Sequence, residues 1–235
     1  AGVGLMPGWG GLKEFLLRAL DDQLEADVKA FGDGRNSYFG YEGIQPPEYT
    51  MAVQQPIAQV FENLALGKTS NSAQEAFDLN IMREGDSIVM NPDRQLATAK
   101  ARVLEMALEY EAPERHAPVV LPGAEGEAML KLGVDRFTLQ GLTTSHDIDV
   151  TKRIATALSG GDTDITKLIE DPETHLMALE KKGFMELVQM DGAQAAILNM
   201  LVKREPLRED KTFARVANEN FPDVAKLMGL KGIVK

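Results

Sequence analysis

From Leu12 onward the apolar residues fall at Phe15, Leu16, Ala19, Leu20, Leu24 and Val28, the three- and four-residue spacing that lays one buried stripe along a helix. Phe31-Gly32-Asp33-Gly34 ends that helix. Arg35 to Tyr49, rich in Gly, Pro and Tyr, reads as a loop before a short helix from about Met51 to Leu66. The same helical signals recur down the chain. Ser72 with Glu75 forms a capping-box pattern and Asn80 a left-handed stop, which predicts a short helix over Ser72 to Leu79. Asn91 followed by Pro92 opens a long helix reaching about Tyr110. Further helices are predicted over Glu127 to Leu139, Ser145 to Leu158, Asp171 to Met190 and Asp191 to Val202, with two short pieces in the tail. Ser87 to Met90 alone reads as a strand. Such a pattern predicts a mainly α fold with at most one or two short strands.

Residues 112–126, "APERHAPVVLPGAEG", are dense in Pro, Gly and Ala and form the best candidate linker. They divide the chain into residues 1–111 and a C-terminal helical region, 127–235. No period repeats, which disfavours a solenoid.

The charge balance narrows the partners. Acidic residues number 36 against 25 basic, a formal charge of −11 that repels phosphate backbones and anionic membranes, so nucleic acid is not expected. With no cysteine, disulfides, thiolate metal sites and cysteine nucleophiles are excluded. That absence suits an intracellular, cytoplasmic protein. No apolar stretch is long enough to span a bilayer, and the N-terminus lacks the features of a signal peptide. A start at Ala1, inside a glycine-rich turn, is what a fragment would show, and removal of an initiator Met before a small residue would look the same.

That opening turn, "AGVGLMPGWGG", packs five glycines and a proline into eleven residues. It fails the dinucleotide fingerprint because Pro7 replaces the third glycine and no strand precedes it. It fails the Walker pattern because Leu12-Lys13-Glu14 closes it. What remains is a sharp turn that passes close to something. Trp9 at its tip could fill an apolar pocket or pack on the next helix. Other candidates are bland. His116, His146 and His175 stand apart with no metal-binding spacing, no Gly-x-Ser-x-Gly exists, and the acidic pairs read as solvated faces. Lys203 and Arg204, ending a helix in an acidic protein, could hold phosphates or simply answer the helix dipole.

Taken in order, these motifs resemble the crotonase superfamily of enoyl-CoA hydratases and isomerases. "GVGLMPGWGGLKE" looks like the turn after the family's second catalytic glutamate, although Trp9 stands where a small residue is usual. "ALGKTSNSAQEAFDLNIM" is similar to its small helix around Ser-Ala-x-Glu-Ala, and "LEKKGFMELVQMDGAQAAILNMLVKREPL" resembles its C-terminal helices. More narrowly, the linker, "SHDIDVTKRIATALSGG" and the closing helices resemble the C-terminal end of bacterial bifunctional 3-hydroxyacyl-CoA dehydrogenase/enoyl-CoA hydratases. The resemblance implies the C-terminal helical part of a crotonase-like α/β module, serving hydration of 2-enoyl-CoA in fatty-acid β-oxidation. It implies no catalytic residue in this chain, because both glutamates and the oxyanion hole would lie upstream of Ala1. The chain alone is then expected to be inactive. Gly4, Leu5, Pro7, Gly8, Trp9 and Gly10 would form the acyl-pocket turn, and Lys203 and Arg204 would hold CoA phosphates. The chain itself would carry no cofactor or metal, NAD belonging to the parent's dehydrogenase domain. Expected partners are acyl-CoA, the missing upstream half of the module and other copies in a homo-oligomer. A reading from a different class is a noncatalytic helical module for interaction or oligomerisation.

Overall fold

The computed structural model describes residues 3–31, 46–83, 85–141, 143–227 and 229, and for 24–31, 46–53, 137, 224, 226 and 227 the backbone alone. The fold is mainly α, as the periodicity predicts. Two compact units are present, one made of residues 1–68 and 117–235 and the other of residues 69–116.

In the first unit α1 (Gly11–Phe31) and α2 (Pro46–Ala65) pack together. They are followed by a short strand β1 (Val119–Val120), α5 (Gly123–Leu139), α6 (Ser145–Leu158), a second short strand β2 (Leu168–Ile169) and α7 (Pro172–Val188). The unit closes with α8 (Asp191–Lys203), α9 (Phe213–Asn220) and α10 (Pro222–Leu227). Helix α6 is the centre of the packing, in contact with α1, α2, α5 and α7. Its Ile154 and Leu158 are fully buried with Leu12, Leu16 and Leu20 of α1, Ile57 of α2 and Leu176 of α7. Helix α6 has the bounds its sequence predicts. Thr144 accepts from the Asp147 N–H while the Asp147 carboxylate accepts from the Thr144 N–H, a reciprocal cap that fixes its start.

The strands fall elsewhere than expected. Ser87 to Met90 is not a strand: alternation needs a neighbouring edge to pair with, and Ile88 and Met90 lie exposed. The strands that do form pair antiparallel, Val119 with Ile169 and Val120 with Leu168. Thus the Pro- and Gly-rich stretch 112–126 contributes core residues, since Val119, Val120 and Leu121 are buried. Helix α2 begins at Pro46, earlier than the predicted Met51. Most of the expected loop before it lies outside the described residues.

In the second unit α3 (Ala73–Asp78) and α4 (Pro92–Met106) are capped by Ser72 and Asn91. The Ser72 box is half formed. The Glu75 N–H donates to Ser72 Oγ at 3.0 Å, but the Glu75 carboxylate accepts from the Asn71 N–H at 2.6 Å. Asn80 takes its left-handed stop, with φ 61°. Helix α4 ends sooner than predicted, tightening into a 3-10 turn over Ala107–Glu109.

Candidate functional site

The opening turn is folded onto α6, α7 and α8, and each contact has a local cause. Gly4, with φ 69°, approaches so closely that a Cβ there would lie 2.9 Å from Ala196 Cβ and 3.0 Å from the His146 ring. The Gly4 carbonyl accepts a hydrogen bond from His146 Nε2 at 2.7 Å, so that nitrogen carries the proton. Leu5 is half-buried against the core and Met6 is buried. Gly8 lies over the Phe184 ring, and Pro7 packs beside Gly11.

The turn ends on a buried carboxylate. Glu180 of α7 is 2% exposed and accepts from the Gly10 N–H at 2.7 Å and the Lys13 N–H at 3.3 Å. These donors mark the start of α1, where unpaired N–H groups and the helix dipole favour an anion. Glu180 therefore occupies the position that a phosphate would take in a nucleotide-binding loop. Beside it, Lys13 forms ion pairs with Glu14 at 2.8 Å and Glu173 at 3.6 Å. Burial works to lower the Lys13 pKa, but its two carboxylate neighbours outweigh this and hold it above the ordinary lysine value. Sequence reasoning missed Glu180. Its one local signal is an acid on the buried stripe of α7, between Leu176 and Gly183.

Trp9 is presented differently from the rest of the turn. Its φ is 62°, a conformation that costs a bulky side chain roughly 1–2 kcal/mol, and its side chain is fully exposed. It borders an apolar groove of about 360 Å³ whose wall is α7: Met177, Phe184 and Met185, with Lys181 at the edge. A second cleft, of about 240 Å³, opens by His146 where the starts of α6, α8 and α9 converge. The starts of α6 and α9 there are already answered by side chains. Asp210 accepts from the Ser145 N–H at 2.9 Å, and Asp191 accepts from the Phe213 N–H at 3.1 Å.

The other sequence candidates are not gathered into one site. His175 Nε2 donates to the Gly160 carbonyl at 2.8 Å, so two of the three histidines fasten glycine turns. Lys203 and Arg204 lie exposed at the end of α8, Arg204 capping it with φ 58°. Among the described residues no three His, Asp or Glu side chains are arranged to hold a metal ion. No helix among them is long and apolar enough to cross a membrane.

Comparison with known proteins gives a match over most of the chain. It is 31% identical over 208 residues to a protein of Bacillus subtilis (strain 168) named "Probable 3-hydroxyacyl-CoA dehydrogenase", covering 88% of this chain and 23% of that relative. The chain thus spans about a quarter of the length of the curated relative it matches. No family model matches it. No solved structure matches it at a significant level. The match corrects the expectation of an enoyl-CoA hydratase, a lyase of the crotonase superfamily: the similarity runs to a protein named for dehydrogenation, and nothing matched is a hydratase. NAD, expected in the parent's dehydrogenase domain, finds no dinucleotide-binding fold among the described residues. They hold no parallel sheet, and the α1 start that could face a pyrophosphate is filled by Glu180.

Proposed function

We propose that this chain is the helical portion of a cytoplasmic 3-hydroxyacyl-CoA dehydrogenase of fatty-acid β-oxidation. In this reading it helps to seat the acyl thioester while NAD is held elsewhere in the protein. The observation that carries the reading is the 31% identity over 88% of the chain to a relative of that name. The geometry supports a substrate-seating role in one place, the groove beside Trp9. An aromatic side chain held in a costly backbone conformation and left in water is poorly explained by stability alone, and such strain is characteristic of binding positions. The groove's volume lies in the range of about 300–1,000 Å³ typical of small-molecule clefts, and its lining is apolar, as an aliphatic chain requires. The turn residues Gly4, Leu5, Pro7, Gly8, Trp9 and Gly10 would then form the frame of the acyl site. Lys203 and Arg204 would meet the anionic CoA end through exposed contacts worth under about 1 kcal/mol each.

Trp9 is the only tryptophan, so its emission reports directly on the groove. Titration with 3-hydroxyacyl-CoA thioesters of increasing length is expected to shift that emission to the blue. Affinity should rise about fourfold per methylene, the equivalent of about 0.8 kcal/mol. Unchanged emission at saturating thioester, or the same response to CoA alone, overturns the assignment of the groove.

A further inference from the structure

Helix α4 has no buried residue. One stripe, Leu96, Ala99, Val103 and Met106, follows the spacing of a helix seam, yet Leu96 is 82% exposed and Val103 64%. A second stripe, Ala97, Ala101 and Leu104, continues into Leu108 of the 3-10 turn and is exposed as well. At 100° per residue the two together span an apolar arc of about 220°, interrupted only by Asp93 and Lys100. Ordinary surface helices need an apolar arc of about 100°, and a fifteen-residue helix without tertiary packing is marginal in water.

We propose that α4 is the inserted helix of a helix-in-groove contact, and that its occupant is the part of a dehydrogenase polypeptide outside the segment this chain matches. The inference rests on the function proposed above. Two arguments select this partner over a second α4 helix. A pair of α4 helices would meet along one seam and leave the other stripe in water, and two such short helices bury far less than the roughly 1,200 Å² of a stable interface. An arc of about 220° needs a floor and two walls, which a large folded body supplies. The relative offers such a body, since 77% of its length lies outside the match to this chain (100 − 23). The partner's chemistry follows: an apolar groove open on one side, with the Arg94, Thr98 and Glu105 face of α4 left in water.

Hydrogen exchange on the intact Bacillus subtilis relative, beside this chain alone, tests the contact. Amides of the relative's segment aligned with α4 should exchange at least about a hundredfold more slowly than those of α4 in the isolated chain. Substituting the relative's residues aligned with Leu96 and Val103 by Glu should abolish that protection. The same substitutions in this chain, Leu96→Glu and Val103→Glu, should leave its helical circular dichroism unchanged, because both sites are exposed. Equal, fast exchange in both proteins overturns the inference. So does protection in the isolated chain that grows with its concentration, because a second copy would then be the occupant. Dehydrogenase activity measured on the same sample separates the two proposals. An active relative with an unprotected segment sinks this one, and a protected segment in an inactive relative sinks the function alone.

Discussion

Glu180 shows how one side chain decides what a helix start can do. A carboxylate within hydrogen-bonding distance of the Gly10 and Lys13 N–H groups stabilises α1 and joins it to α7, and it also excludes any other anion from that place. Removing it leaves buried donors without an acceptor and opens a small void. Glu180→Ala is therefore expected to cost about 1–3 kcal/mol, seen as a lower urea midpoint at unchanged m-value. Glu180→Gln keeps one acceptor oxygen and should cost less. A midpoint unaffected by Glu180→Ala would mean that the cap contributes nothing. Little of this was legible in the sequence. Glu180 and Gly10 are 170 residues apart, and no local pattern announces a contact of that kind. The turn's departure from nucleotide motifs was legible, because those motifs depend on glycine spacing within a few residues.

At the scale of elements the local signals were read correctly where they are short-range and failed where pairing is remote. The Asn91-Pro92 start and the Asn80 stop both depend on neighbours within four residues. The β1–β2 pair joins two-residue strands about fifty positions apart, which carry no periodicity of their own. One element contact gives a pH prediction. Glu127 of α5 accepts from Thr156 Oγ1 of α6 at 2.7 Å and pairs with Lys131. Burial would raise its pKa, but the bonds from Lys131 and Thr156 together outweigh burial and hold the carboxyl below its ordinary value of 4.5. A depressed folded-state pKa contributes stability that is complete above the unfolded value and is lost as pH falls through the folded one. Thermal unfolding followed from pH 6 to pH 3 should show stability falling below about pH 4.5, with a shallower fall in Glu127→Ala. Parallel pH profiles for the two proteins would remove Glu127 from the acid response.

The whole molecule sets the last expectation, which concerns NAD. The chain's similarity is to a dehydrogenase, yet its described residues form helices with a single two-stranded ribbon, and a dinucleotide needs the crevice of a parallel sheet. Two separate causes could keep NAD away: the missing crevice, and the repulsion between a pyrophosphate and a protein of formal charge −11. Salt distinguishes them, because repulsion between exposed charges is largely screened beyond about 8 Å at physiological ionic strength. If charge alone were responsible, raising the salt from about 10 mM to 500 mM would uncover binding. We expect none at either concentration up to about 1 mM NAD, an affinity no better than about −4 kcal/mol, by isothermal titration calorimetry. We also expect no NAD-dependent oxidation of a 3-hydroxyacyl-CoA by the chain alone. Saturable, stoichiometric NAD binding would place a nucleotide site in this chain, and the division of labour proposed here would fall.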